Sequence, residues 1–217
     1  MPTPTVENYL KALLNLTRET GQAGMSELSQ ALSVSTPTAN AMVKRMAEDG
    51  LIEYEKYRPL RLTEAGRRAA ALVIRKHRLT EMFLVERMGF GWEQVHPIAE
   101  QIEHIQSPEF FARMDELMGY PTHDPHGSPI PDPDGNLVAD EGHRRLADCR
   151  PGECVRLAAL NHSANDFLHF LNERGLELGC EITVRAAEPF DGSLTVDYGS
   201  HRGVVLSRVV CEKLLVD

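Results

Sequence analysis

Apolar residues at Val6, Leu10, Leu13, Leu14 and Leu16 recur close to the i, i+3, i+4 spacing of an amphipathic helix, which Gly21 and Gly24 bring to an end. Leu28, Ala31 and Leu32, following Ser26, predict a second, short helix before Ser33-Val34-Ser35 interrupts the pattern. Thr36-Pro37 opens a third, because a hydroxyl can cap a helix and proline suits its first turn. Its apolar face is Ala39, Met42, Val43 and Met46, and Gly50 closes it. The run LIEYEKYRPLRLT then sets Leu51, Ile52 and Tyr54 against Leu60 and Leu62 around Tyr57-Arg58-Pro59, which predicts a two-stranded hairpin. Three helices followed by a hairpin form the winged helix-turn-helix pattern.

From Thr63 to about Arg87 one long helix is expected, with Ala65, Ala69, Leu72, Val73, Leu79, Met82 and Phe83 as its apolar stripe. Trp92 to Gln106 predicts another helix and Pro108 to Met118 a further one. The stretch GYPTHDPHGSPIPDPDGN carries five prolines in eighteen residues, too many for helix or strand, and reads as a linker or an ordered loop over 119–136. Beyond about Arg144 the runs ECVRLAAL, CEITVRAA, SLTVDYG and GVVLSRVV, with one helix near Asp166–Arg174, predict a small barrel-like β domain. The chain is therefore expected to be mostly α with small β parts, divided at 1–63, 64–140 and 141–217.

Composition changes this picture only in outline. With 217 residues, 42% hydrophobic and 25% charged, the chain can bury a real core, and wholesale disorder is excluded. No apolar run approaches the ~18 residues of a membrane helix, and MPTPTVENYL has no basic region followed by an apolar stretch, so a cytoplasmic protein is expected. Cys149, Cys154, Cys180 and Cys211 form no C-x-x-C pair and read as reduced, partly buried thiols. Charge is more informative. The formal net charge of −9 argues against a nucleic-acid partner, yet residues 1–78 hold 12 Lys and Arg against 8 Asp and Glu, a balance of +4. Residues 79–217 hold 11 against 24, a balance of −13. A cationic N-terminal module on an acidic remainder points to DNA, although a solvated face has the same signature.

The chemistry sits in the middle of the chain. At 100° per residue His96, Glu100, Glu103 and His104 share one face about 100° wide, with Val95, Ile98, Ile102 and Ile105 opposite. His77 and Glu81 are likewise four apart on the preceding helix. Two helices that each present His and Glu are the arrangement from which bundles build metal sites, and a donor set without thiolate favours manganese or ferrous iron over copper or structural zinc. Asp124 and His126, in the stiff DPHG stretch, are further candidates. The competing reading is a set of exposed polar faces.

VENYLKALLNL, LSVSTPTANAMVKRMAEDGLI, YEKYRPLRLTEAG, RKHRLTEMFL, VHPIAEQIEHIQS and HGSPIP together resemble the diphtheria toxin repressor and manganese transport regulator family over residues 5–131. The resemblance implies a homodimeric, metal-activated transcriptional regulator, with a winged-helix domain, a helical dimerisation and metal-binding domain, and a C-terminal SH3-like (FeoA-like) domain. It implies two neighbouring sites, one of His77, Glu81 and His96, the other of Glu100, Glu103 and His104, and Asp124 and His126 complete the first. Glu100 stands where iron-responsive relatives tend to have Cys and so points to manganese over iron. Asn8 stands where manganese-type relatives have an Asp ligand, and Lys11 replaces a nearby family Glu; an amide is the poorer ligand. From the C-terminal domain, Asn161, His162 and Asp166 are the residues that could add an oxygen or nitrogen donor, and the sequence does not fix which of them, if any, does.

On this reading Ser35, Thr36, Pro37, Thr38 and Asn40 enter the major groove of operator DNA, Lys44 and Arg45 hold phosphates one to two turns later, and Lys56, Tyr57, Arg58 and Arg61 of the wing track the backbone or minor groove. Manganese or ferrous iron clamps the helix of His77 and Glu81 to that of Glu100 and His104, and the dimer then binds an inverted repeat and represses metal-uptake genes. Two rival functions use the same residues: a metal-dependent hydrolase, and a winged-helix protein-interaction module with a structural metal. No Gly-rich phosphate loop, G-x-S-x-G or H-E-x-x-H accompanies the carboxylates, so the sequence is read as a regulator and not an enzyme.

Overall fold

The computed structural model describes residues 2–17, 20–137, 142–161 and 163–217, and these fall into two compact units. The first contains the chain up to Thr80, Ile98–Tyr120 and the residues from Ile130 to 137; the second contains Glu81–Pro97, Pro121–Pro129 and the residues from 142 onward. The expected boundary at residue 140 lies outside the described residues.

In the first unit α1 (Pro4–Thr17), α2 (Met25–Ala31) and α3 (Thr36–Glu48) precede the hairpin of β1 (Ile52–Glu53) and β2 (Arg61–Leu62), paired as Ile52 with Leu62 and Glu53 with Arg61. The cap of α3 is Ser35, whose Oγ accepts from the Thr38 amide at 3.3 Å, while Pro37 lies in the first turn, where its missing N–H costs nothing. Leu10, Leu13, Leu28, Val43, Met46, Leu60 and Leu62 form one buried core with Ala70 and Ile74 of α4 (Glu64–Met88), so the long helix is an integral wall of the winged-helix module. Its buried face keeps Val73 and Leu79 of the predicted stripe and is wider than it. Ala65 is exposed, whereas Ala70, Ala71, Ile74, His77, Glu81 and Leu84 are buried. Gly66 explains the close seat of this helix, since a Cβ there would lie 2.0 Å from the Leu51 carbonyl oxygen.

The helix expected over Trp92–Gln106 is much shorter: α5 spans His96–Ile102. Proline disfavours helical backbone at the residue before it but suits a first turn, and Pro97 accordingly stands at the start. Gly91, Trp92 and Gln94 form a turn in which the Gln94 amide donates to the Gly91 carbonyl at 2.9 Å. At the other end the i−4 pattern persists to Glu103 (to Ala99, 2.9 Å) and tightens to i−3 at Ile105, so Glu103 and His104 occupy a turn and not a helical face. The next helix, α6 (Pro108–Leu117), begins at a Ser107 cap. The Pro-rich segment is an ordered loop and not a linker.

In the second unit six strands have the order β3-β8-β4-β5-β6-β7, with β3 at Arg144–Arg145, β4 at Cys154–Leu160, β5 at Glu181–Ala187, β6 at Leu194–Tyr198, β7 at His201–Leu206 and β8 at Leu214–Val216. Helix α7 (Asn165–Asn172) covers their core through Phe167, Leu168 and Leu171. Two features depart from the expectation. GVVLSRVV is strand only to Leu206, where Ser207 caps the short helix α8 (Arg208–Cys211). The terminal KLLVD supplies an inner strand, β8, that a three-residue apolar run could not announce. None of the four cysteines is in a disulfide; Cys149 and Cys211 are buried and Cys154 is exposed.

Candidate metal centre

The loop after α6 is built around one carboxylate. Asp124 Oδ1 accepts from the amides of His126 and Ser128, both at 2.9 Å, and the Asp124 amide donates to the Ser128 carbonyl at the same distance. Gly127 follows with φ +84°, and a Cβ on it would lie 2.4 Å from the Ala158 carbonyl oxygen. The Leu160 amide donates to the His126 carbonyl at 2.9 Å, fastening the loop to the end of β4.

His126 is held in one orientation. Its Nε2 lies 3.0 Å from the Trp92 carbonyl oxygen, which can only accept, so Nε2 carries a proton, and in the neutral imidazole, the form that ligates a metal, the lone pair is on Nδ1. Nδ1 faces Glu81 Oε2 at 3.8 Å. The Trp92 indole stacks on the imidazole with centroids 5.9 Å apart, and its Nε1–H donates to Asn172 Oδ1 at 2.6 Å. Glu81 Oε1 lies 3.2 Å from His96 Nδ1. Glu81, Asp124 and His126 are all buried, and each places one ligand atom within 4.8 Å of the others. Donors around one divalent ion at about 2.1–2.4 Å are about 3 Å apart when adjacent and no more than about 4–5 Å when opposite, so two buried carboxylates and an imidazole within that limit fit such an ion.

The sequence-predicted donors His77, Glu100, Glu103 and His104 belong to the first unit. Glu103 is completely buried; its Oε1 accepts from Lys11 Nζ at 2.6 Å, and its Oε2 lies 2.5 Å from His77 Nδ1. Burial opposes ionisation of Glu103, but the His77 and Lys11 contacts outweigh it and hold the carboxyl below the usual range. Lys11 also reaches Glu100 Oε1 at 3.6 Å. His104 Nδ1 pairs with Glu7 Oε2 at 2.6 Å, and Glu7 Oε1 accepts from Gln106 at 3.0 Å and Lys76 at 3.2 Å. The exposed polar faces of the competing reading are thus absent at His77, Glu81, Glu103, Asp124 and His126, which are buried. Asn8 is exposed, and the buried charged residue of α1 is Glu7, which the sequence reading missed. Its signal was a carboxylate beside Val6 and one turn from Leu10 and Lys11, on the apolar side of the helix. Asn161 and Asp166 are exposed, the latter capping the Phe167 amide at 2.8 Å, and His162 lies outside the described residues.

In the winged-helix module the Ser35 cap and Thr36, Pro37, Thr38, Lys44 and Arg45 of α3 are exposed, as are Lys56, Tyr57, Arg58 and Arg61 of the hairpin. Tyr57 is 92% exposed at the wing tip in left-handed backbone, φ 66°, with the Lys56 ammonium 4.8 Å from its ring centroid. Asn40 is half-buried.

Three family models cover the chain: the N-terminal DNA-binding domain of iron-dependent repressors over residues 1–60, the metal-binding and dimerisation domain of iron-dependent repressors over 63–132, and the FeoA domain over 144–217. The iron-dependent repressor IdeR of Mycobacterium tuberculosis is 30% identical over 98% of this chain and 96% of its own length. The diphtheria toxin repressor of Corynebacterium efficiens is 32% identical over 83% and 82%. Among solved structures, a manganese-dependent transcriptional repressor in complex with manganese is 32% identical with a TM-score of 0.86, covering 97% of this chain and 98% of that one. The chain belongs to the iron-dependent repressor family, a family of metal-dependent transcriptional regulators and not of enzymes.

Proposed function

We propose that this protein senses a divalent ion through Glu81, Asp124 and His126, with His96 closing over Glu81, and binds an inverted-repeat operator as a homodimer to repress metal-uptake genes in the cytoplasm. The observation that carries the reading is His126: a backbone carbonyl takes its Nε2 proton, its Nδ1 faces buried Glu81, and buried Asp124 brings a ligand atom within 4.8 Å of both. A bound cation would supply the positive charge that lets those carboxylates stay ionised in a buried place. Oxygen and nitrogen donors without thiolate match manganese or ferrous iron. Asp124 holds the loop, Trp92 holds the imidazole, and Glu81 joins His96 to His126 through its two oxygens.

DNA contact is assigned to the exposed positions of α3, Ser35, Thr36, Pro37 and Thr38 at its start and Lys44 and Arg45 further along, with Lys56, Tyr57 and Arg58 of the wing. The second copy is assigned to the apolar surface that α6 and its flanks leave exposed, Ile105, Phe110, Leu117 and Tyr120. Fluorescence anisotropy of an operator duplex at fixed salt, with and without manganese, tests the activation. Tighter binding with manganese in the wild type and no manganese response in Asp124→Asn/His126→Ala support it; equal affinity with and without the ion discards it.

A further inference from the structure

The family resemblance assigns Glu100, Glu103 and His104 to a second ion, and the structure fills that place with a side chain. The Lys11 ammonium, 17% exposed on its α1 stem, sits 2.6 Å from Glu103 Oε1 and 3.6 Å from Glu100 Oε1. The other Glu103 oxygen is taken up by His77, and His104 Nδ1 by Glu7. Glu7 and Lys11 are four apart on α1, so this one helix brings both a carboxylate to the imidazole and a cation to the carboxylates. An oxygen that already accepts from an ammonium leaves any further cation on the same group facing a like charge at short range. The α1 position next to Glu7 is a neutral and exposed Asn8, which adds no anionic donor to offset that repulsion. As arranged, these residues do not fit a second ion.

We propose that Lys11 is a built-in cation that replaces the second ion, so that each chain takes a single divalent ion, at Glu81, Asp124 and His126. The count of one rests on the metal centre proposed above; the ammonium's occupation of the second place does not. It follows that α1 of the winged-helix module is tied to Glu103 with or without metal.

The test is stoichiometry on the full-length, metal-stripped protein. Manganese is titrated in, and the unbound ion is read from its six-line electron paramagnetic resonance signal. The wild type is expected to take up one ion per chain, and Lys11→Glu/Asn8→Asp two, with Glu103→Gln in that background returning it to one. Two ions on the wild type, the second lost in Glu103→Gln, would overturn the inference and leave the first centre standing. No ion on the wild type would overturn that centre, and the count of one with it. Persistence at one ion in a double variant that keeps wild-type circular dichroism also counts against Lys11 as the excluding group. The wild-type count needs no variant, so a misfolded variant does not shelter the proposal.

Discussion

The phenolic hydroxyl of Tyr54 donates a 2.9 Å hydrogen bond to Oδ1 of Asn40, tying the wing's first arm to the recognition helix. Asn40 was expected at a base edge, but its acceptor oxygen is engaged inside the protein. Tyr54→Phe and Asn40→Ala should therefore act alike. Each is expected to lower stability by about 1 kcal/mol in urea unfolding and to weaken operator binding several-fold without changing base preference. Competition with duplexes substituted at single base pairs checks this; a preference altered by Asn40→Ala alone would return Asn40 to direct readout.

Gly127 separates loop architecture from ligation. Its φ of +84° and the 2.4 Å approach of a Cβ to the Ala158 carbonyl mean that Gly127→Ala must move the loop carrying His126. The expected outcome is a loss of about 1–3 kcal/mol in stability together with weaker manganese binding. Asp124→Gly removes the anchor of the same loop. Calorimetric unfolding with and without manganese measures both effects, and a variant with wild-type stability and affinity would refute the loop's role.

The wing and recognition-helix cations should report through salt. For Arg58→Ala and for Lys44→Ala, the slope of log affinity against log salt is expected to shrink by about one each if each neutralises one phosphate. Tyr57→Ala should weaken binding with the slope unchanged. Anisotropy titrations over a range of salt distinguish the two kinds of loss, and unchanged slopes in both cation variants would remove them from the DNA interface.

Exposed Phe110 and Leu117 on α6 make a prediction about assembly. Phe110→Asp/Leu117→Glu is expected to shift the dimer to monomer at micromolar concentration while circular dichroism is retained, because the two charges would be buried against a second copy. Sedimentation velocity gives the answer; an unaltered dimer would place the interface elsewhere.

Thiol chemistry should follow burial. Burial pushes the Cys211 thiol up to about 11, while Cys154 is exposed. The thiolate is the reactive form, so at pH 8 only about a thousandth of Cys211 would be available. Iodoacetamide on the native protein should label Cys154 first and leave Cys211 unlabelled until denaturant is added, as peptide mass spectrometry would show. Labelling of Cys211 at the rate of Cys154 would contradict the packing of the β domain.

How much was legible follows from the range of each signal. Side-chain periodicity is a local property, and it marked α1, α3, α4 and α6 to within a residue or two, the hairpin, and four of the six strands of the second unit. It overextended α5, because Gly91 and Pro97 weigh on backbone geometry more than the surrounding pattern suggests, and it passed over β8, whose three residues are strand only through their pairing with β3 and β4. Residue chemistry alone determined that His77, Glu81, His96, Glu100, Glu103, His104, Asp124 and His126 form the charged and ligating stock of this protein. Which of them meet was decided by tertiary structure. Spacing along a helix says that His96 and Glu100 are one turn apart, but whether a carboxylate faces an imidazole, a backbone carbonyl's partner or an ammonium depends on elements remote in sequence. Glu103 lies 92 residues from the Lys11 that neutralises it, and Glu7 lies 97 from His104, separations that no periodicity spans.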